Sequence, residues 1–188
     1  MSGIYVGLAN IYAAKYNSSS GSYSDGFQVG EGMTVTIAPQ YAEGSVYGDN
    51  HRVMYKKKFK NANVTLGITR LPIEAQSVFF GRTVGDDNEV VRSSKDVENY
   101  VGLGCVSNKE DEDATVTYEA AWLHKVKFSD PGFDLETEGE NITFKTPSLS
   151  GSAEAFSTGE WVTTKEFSAV CEGVAWIMGL AGITEEAS

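Results

Sequence analysis

Alternating apolar and polar residues predict two long β-strands, separated by an acidic loop, between residues 118 and 151. The first strand would place its larger residues on one face, namely Tyr118, Ala120, Trp122, His124, Val126 and Phe128. The second strand repeats the alternation at residues 142–146. A period of two is typical of a half-buried strand. We therefore predict that this pair forms the centre of a sheet, with Trp122, Phe128 and Phe144 as core anchors.

Shorter alternating runs predict further strands along the chain, at residues 11–16, 33–37, 51–60, 64–68 and 100–106. A turn-forming segment between residues 84 and 90 predicts a small hairpin. The segment 17–26 is rich in Ser and Gly and predicts a loop. Glycines, Asp49 and Asn50 mark a second extended region at about 42–62, which contains the run 51–60.

Two segments depart from the alternation and predict helices. Pro72 suits the first turn of a helix and Gly81 suits the residue just after its end, which predicts a helix of about two turns. Apolar residues at helical spacing predict an amphipathic helix over about residues 165–180. Its N-cap would be Thr164, and its end Gly179 or Gly182.

These elements together predict a mainly β fold. We expect an antiparallel β-sandwich or partial barrel with one short flanking helix and a C-terminal helix. Residues 1–160 would form the β domain, and residues 161–188 the terminal helix and tail. The length of 188 residues suits one such domain, and 41% apolar residues can fill its core.

Composition narrows the classes of function. The formal net charge of −11 argues against a nucleic-acid-binding surface, because binders carry basic patches that replace counterions. The first residues, MSGIYVGLAN, lack a basic segment followed by an apolar run. We therefore expect no signal peptide and synthesis in a cytoplasm. The longest apolar stretch, residues 173–182, is too short to cross a bilayer.

The residues that could perform chemistry are few. The two histidines are His51 and His124, and we interpret His124 as a hydrogen-bonded structural residue, with catalysis as the alternative. The two cysteines, Cys105 and Cys171, are interpreted as buried small apolar residues, although a disulfide stays open. No metal-ligand spacing, nucleophile elbow or phosphate loop is present in the sequence. We predict no catalytic, cofactor-binding or metal-binding residue; a hydrolase using loop carboxylates is the alternative.

Several segments, taken in order, resemble a known family. They are VGL at 6–8, GSVYGDN at 44–50, LPIE at 71–74, FG at 80–81, GLG at 102–104, WLHKVKFS at 122–129 and ETEGENITFKTPSLSG at 136–151. With the aromatic-led C-terminal helix, they are similar to the major tail proteins of long-tailed bacteriophages, most closely the phi13-type group. The resemblance covers nearly the whole chain.

This resemblance implies a β-sandwich or partial barrel that is completed by its neighbours. Six copies would form a ring, and rings would stack head to tail into the tail tube through which DNA is ejected. The implied partners are further copies of the chain, a tape measure protein in the lumen, a tail terminator, and distal tail or baseplate proteins. DNA would pass without specific binding, no membrane or cofactor is involved, and the location is the virion tail after assembly in the host cytoplasm.

Charged segments provide candidate contacts between subunits or rings. Along one side of the strand 51–60 lie the cations Arg52, Lys56, Lys58 and Lys60. Such a row is typical of a protected sheet edge or of a charged subunit contact, with nucleic-acid binding as a further alternative. The acidic candidates are Glu110, Asp111, Glu112, Asp113, Asp130, Asp134, Glu136, Glu138 and Glu140. Opposite charges on opposite ring faces would favour stacking in one orientation.

Two further hypotheses use the same residues. Surplus carboxylates could line the lumen and let DNA slide without adhering. Alternatively, the chain could be a carbohydrate-binding-like β-sandwich module, with Trp122 or Trp161 as a stacking platform on its surface.

Overall fold

The computed structural model describes residues 4–49, 51–113, 115–132 and 146–183. Within these residues the strands are β1 (Ile4–Asn17), β2 (Ser22–Gln28), β3 (Gly32–Gly48), β4 (His51–Ile68), β5 (Thr83–Val84), β6 (Val90–Val91), β7 (Val101–Glu110), β8 (Val116–Phe128), β9 (Ser148–Ala153) and β10 (Val162–Phe167). The helices are α1 (Ile73–Phe80) and α2 (Val170–Ala181).

One large antiparallel sheet organises the fold. Its strand order is β2-β1-β7-β8-β9-β4-β3, with β10 also paired to β8, and the sheet does not close into a barrel. Strands β5 and β6 form a separate hairpin, as predicted. The expected mainly β fold with one short helix and a C-terminal helix is confirmed.

A bulge divides the central strand β8. Leu123 pairs with Leu103 and Val126 pairs with Val101, so two residues of β8 oppose one residue of β7. An extra residue moves every later side chain to the other face of the sheet. The prediction that all six larger residues of this strand share one face is therefore wrong beyond residue 123. The neighbour of β8 also changes here, from β10 at residues 118–123 to β9 at residues 126–128.

The bulge separates two apolar cores on opposite faces of the sheet. Trp122 is fully buried under helix α2, together with Ile177 and Ala181. Phe128 is buried in the larger core on the other face, where its ring lies 5.0 Å from that of Phe79 in α1. Burying a side chain of this size contributes about 1.5–3 kcal/mol. Both helices thus cover the sheet, one on each face.

The sequence predicted the C-terminal ends of the helices correctly but placed the start of α2 too early. Gly81 and Gly182 both adopt the left-handed conformation, with φ of 64° and 70°, and end α1 and α2. The start of α2 was predicted too early, because residues 162–167 pair with β8 as a strand. The prediction of Thr164 as N-cap is wrong; Ala169 occupies that position.

A long hairpin joins the predicted strands 33–37, 51–60 and 64–68 into two continuous elements. Strand β3 has 17 residues and β4 has 18, and the two pair along nearly their whole length. Pro39 lies inside β3, just beyond the predicted strand 33–37. It is tolerated because β3 is the last strand of the sheet and needs ladder donors on only one side. The segment 42–62, expected as an extended loop region, lies mostly in the distal half of this hairpin.

The second predicted strand of the central pair lies mostly outside the described residues. Residues 142–145, including Phe144, belong to this part of the chain, so that core anchor stays a prediction. The described β9 begins immediately afterwards and pairs with both β4 and β8.

Packing of Trp122 against β7 gives a test of the smaller core. A Cβ atom on Gly104 would lie 2.5 Å from Ile177 Cγ2 and 2.7 Å from Trp122 Cε3. Gly104→Ala should therefore lower the free energy of unfolding by about 1–3 kcal/mol through overpacking, measured by urea denaturation. Gly179→Ala is the matched control, because nothing lies within 4 Å of its added Cβ on α2. It should be neutral or stabilising by up to about 1 kcal/mol; equal losses for both variants would contradict this packing.

Candidate assembly surfaces

The distal half of the β3–β4 hairpin, residues 42–49 and 51–58, is named the arm. It exposes an unusual number of large apolar side chains. Val46, Val53 and Met54 are each about 60% exposed, Tyr47 is 70% exposed, and Tyr55 is 45% exposed. Single exposed apolar residues are common on soluble proteins, but a contiguous group of them marks an interaction surface.

Aromatic stacking fixes the base of the arm to the body of the sheet. The ring of Phe59 stacks on that of Trp161 at 5.0 Å and 17°, and Tyr41 meets Phe59 edge-on at 6.0 Å. These contacts add about 0.5–1.5 kcal/mol each beyond area burial. Trp122 is buried, which counts against it as a carbohydrate-stacking platform, and Trp161 has one ring face occupied by Phe59.

The arm has two chemically different faces. On one face Lys57 forms an ion pair with Glu43 at 3.3 Å and lies 4.1 Å from the centre of the Tyr41 ring. The opposite face carries the cross-strand pair Val46 and Met54, followed by Lys56 and Lys58 opposite Gly44 and Ala42. Directly opposed residues share a face of a sheet. Lys56 and Lys58 form no ion pair with any residue that the structure describes.

The other two predicted cations of this segment have different surroundings. The guanidinium of Arg52 lies 4.9 Å from the centre of the Tyr55 ring, a cation–π contact at the tip of the arm. Lys60 is the extra residue between the pairs Gln40 with Asn61 and Tyr41 with Phe59, so it occupies a bulge at the base of the arm. Only Lys56 and Lys58, two of the four predicted cations, thus share the face of the arm that carries Val46 and Met54.

A second exposed surface lies where β1 and β8 begin and β7 ends, and it is named the end patch. Its centre is a row of directly paired residues, Ile4, Glu110 and Val116, with Ile4 77% and Val116 43% exposed. The exposed carboxylates of Glu112 and Asp113 adjoin it in the β7–β8 turn. No ion pair joins Glu110, Glu112 or Asp113 to another residue within the described ranges.

Asp111 has a structural role in the same turn. Its Oδ1 atom accepts hydrogen bonds of 3.0 Å from the backbone N–H groups of Asp113 and Thr115. A side chain that satisfies two backbone donors fixes the turn. The four predicted acidic residues at 110–113 therefore divide into one that shapes the turn and three that are free to meet a partner.

A charged cluster on the other face of these strands fixes their register. Lys109 forms ion pairs with Glu119 and with Glu166, the latter at 2.9 Å, and the hydroxyl of Tyr5 donates to Glu119 at 3.0 Å. The hydrogen bond to Glu119 is the main reason that the pKa of Lys109 lies above its usual value. The cluster links β1, β7, β8 and β10, so these groups are already paired within the chain.

Asp130, a predicted contact residue, is also paired within the chain. Its carboxylate accepts from the buried guanidinium of Arg82 and lies 3.7 Å from that of Arg92. Desolvation acts to raise the pKa of Asp130, but hydrogen bonds from the Gly132 N–H and from Arg82 outweigh it and lower the pKa. The remaining acidic candidates Asp134, Glu136, Glu138 and Glu140 lie outside the described residues.

His124 and Cys105 occupy structural positions, whereas the prediction that Cys171 is buried is wrong. His124 Nε2 and Thr163 Oγ1 share a hydrogen bond of 2.9 Å, and the Tyr23 hydroxyl donates to the His124 carbonyl. Desolvation lowers the pKa of His124. Cys105 is buried, which raises its pKa to about 11, whereas Cys171 is exposed, and both are free thiols. Among the described residues, no group of three or more His, Cys, Asp or Glu side chains could hold a metal ion.

Comparison with known proteins adds no assignment. No protein-family model matches the chain, and no curated protein matches it. In the described ranges, no helix is long and apolar enough to cross a membrane. The functional assignment therefore depends on the surfaces of the chain itself.

Sequence reasoning found the cations and carboxylates of these surfaces but missed their apolar residues. Val116 lies between two threonines, as in a half-buried strand, and Ile4, Val46 and Met54 each have an apolar neighbour, so no local pattern marks them as exposed. Only the fold shows that they are exposed, Val46 and Met54 in the distal half of the hairpin and Ile4 and Val116 at the ends of β1 and β8. The available signal was the Lys-rich run 56–60, which does not suit a strand buried on both faces.

Asp130→Asn tests whether this carboxylate serves the fold. At pH 7 the variant should lose roughly 1–3 kcal/mol of unfolding free energy, because Arg82 stays buried without its anionic partner. The folded-state pKa of Asp130 is lowered, so its stabilisation is present above the unfolded value of about 4 and lost as pH falls through the folded pKa.

Urea denaturation at pH 7 and at about pH 3 measures the difference between wild type and Asp130→Asn. The difference should shrink at the lower pH. The control Asp87→Asn, in the exposed β5–β6 turn, should change stability by less than about 0.5 kcal/mol. A wild-type level of stability for Asp130→Asn at pH 7 would show that Asp130 is free for a contact with another molecule.

Proposed function

We propose that this chain is a structural subunit that assembles with copies of itself into stacked rings, forming the tail tube through which a bacteriophage ejects its DNA. The observation that carries the proposal is the arm, a paired hairpin whose exposed apolar side chains need a partner. The order of segments that resemble the phi13-type major tail proteins supports the same assignment.

The arm favours assembly because a lone hairpin gains little stability in water. An isolated two-stranded ribbon is marginal, and this one exposes apolar residues on both faces, with Met54 on one and Tyr55 on the other. Packing against another molecule would bury these side chains at roughly 25 cal/mol per Å² of apolar surface. A surface of this kind is useful to a protein whose function is to hold other copies.

The open sheet supports the proposal in a second way. Within the described residues the sheet ends at β2 and at the 17-residue β3, and each of these strands has a neighbour on one side only. Long exposed edges promote pairing with another chain, and closed rings of strands remove them. A ring of copies, each adding its strands to the next, would convert the edges into paired strands around a lumen.

The acidic balance of the chain suits a passage for DNA. A net charge of −11 gives a potential that repels phosphates, so DNA would not adhere to a wall made of such subunits. Specific recognition of DNA would require basic and polar groups that reach bases and phosphates. A conduit has the opposite requirement, because its contents must leave quickly.

Electron microscopy of the purified protein, concentrated alone, tests the proposal. Wild-type chain should form rings or tubes with a central channel above a threshold concentration. Sedimentation velocity over a dilution series should show the same particles dissociating to a folded monomer. A chain that stays monomeric at every concentration and salt tested would contradict self-assembly.

An arm-deleted variant serves as the matched control. An Asn-Gly turn between Ala42 and Lys58, replacing residues 43–57, would close the hairpin early and leave the stack of Phe59 on Trp161 intact. Because the removed residues lie outside both cores, its thermal midpoint should stay within a few degrees of wild type while rings and tubes are lost. Tubes of normal yield from this variant would show that assembly does not require the arm.

A further inference from the structure

We propose that the arm of one copy docks on the end patch of a second copy of this chain. This inference rests on the proposed self-assembly and specifies which two surfaces meet. The arm and the end patch are both exposed, both are built on paired strands, and they carry apolar residues beside charges of opposite sign.

The docking face of the arm combines apolar side chains with cations. Val46 and Met54 form one cross-strand row, and Lys56 lies in the next row on the same face. Rows on one face of a strand are separated by two residues, or about 6.5–7 Å. A partner would therefore meet an apolar contact and a positive charge within one side-chain length of each other.

The end patch has the complementary arrangement. Glu110 lies between Ile4 and Val116 in a single row across three strands, so an exposed carboxylate is flanked by two apolar side chains. Neighbouring strands are about 4.8 Å apart, which makes the row about 10 Å wide. The exposed Glu112 and Asp113 extend the negative charge into the adjoining turn.

The two surfaces are complementary in sign and both carry apolar side chains. Val46 and Met54 can cover Val116 while Lys56, one row along the same face, reaches Glu110, and Lys58 is placed two residues further along for a carboxylate of the turn. Since these cations and carboxylates have no ion-pair partner among the described residues of their own chain, docking breaks no existing bridge. Charge complementarity of this type fixes partner and orientation more than it adds affinity.

The contact is heterologous, because the arm and the end patch are different parts of the chain. Each copy offers one arm and one end patch, so each docking event leaves a free arm at one end of the complex and a free end patch at the other. A contact of this kind does not close on itself in pairs and produces rings or open-ended stacks. The proposed tube requires such growth.

Two charge-reversed variants test the pairing. The arm variant carries Lys56→Glu and Lys58→Glu, and the patch variant carries Glu110→Lys and Glu112→Lys. In a sample of one variant alone, every contact between an arm and an end patch joins charges of the same sign. The concentration needed for assembly should therefore rise about tenfold or more above that of wild type. Mixed one to one, each reversed arm meets a reversed patch and each original arm meets an original patch.

Sedimentation and electron microscopy of the equimolar mixture should therefore show recovery of assembly, with both variants present in equal amount. Recovery also demonstrates that each variant is folded. If wild type assembles but the mixture does not recover, or if either variant assembles like wild type, the end patch is not the receptor of the arm. If wild type itself never assembles, the proposed function fails, and this result is distinguishable from the others.

Cysteine cross-linking tests the apolar part of the contact. A chain with Cys171→Ser, Met54→Cys and Val116→Cys, mildly oxidised under assembling conditions, should yield a ladder of disulfide-linked multimers. The control replaces Val116→Cys with Val97→Cys, since Val97 is an exposed apolar residue, 67% accessible, outside the end patch. Equal ladders from both chains, or no ladder from the first, would overturn the docking of the arm on the end patch.

Discussion

The physical constraint behind this structure is that a long hairpin extends beyond the core that folds it. Strands β3 and β4 stay paired well beyond Ala62, the buried residue of β4 nearest the tip of the hairpin. The distal part exposes Val46, Val53 and Met54 to water. Backbone hydrogen bonds satisfy the polar groups between the two strands, but nothing described in the chain covers these side chains. Folding alone therefore leaves a surface whose burial requires a second molecule.

The body of the protein supplies a rigid base for that hairpin. The bulge in β8 places Trp122 in one core and Phe128 in the other, so helices on both faces hold the same sheet. The polar groups that the bulge frees are used, because the His124 N–H donates to the Trp161 carbonyl and the Lys125 carbonyl accepts from Glu154. Trp161 then stacks on Phe59, which connects the bulge region to the base of the arm.

Local sequence signals predicted the element types well and their surroundings poorly. Alternation identified most strands, and Gly81 marked the end of α1 because a left-handed residue there is a local requirement. The bulge in β8 and the late start of α2 depend on pairing with distant strands, which no local pattern contains. Which charged candidates are available for a contact also depends on the fold. Only the fold shows that Asp130 forms an ion pair with Arg82, whereas Glu110 forms no ion pair among the described residues.

Hydrogen exchange of the wild-type chain below and above its assembly threshold tests the central claim most directly. In the dilute monomer, the arm amides of residues 42–58 should exchange fast, whereas the buried segment 62–68 of the same strand β4 should exchange slowly. In the concentrated sample the arm amides should become protected, while segment 62–68 changes little. Arm exchange that stays equally fast in assembled particles would contradict the claim that the arm exists to bind another copy.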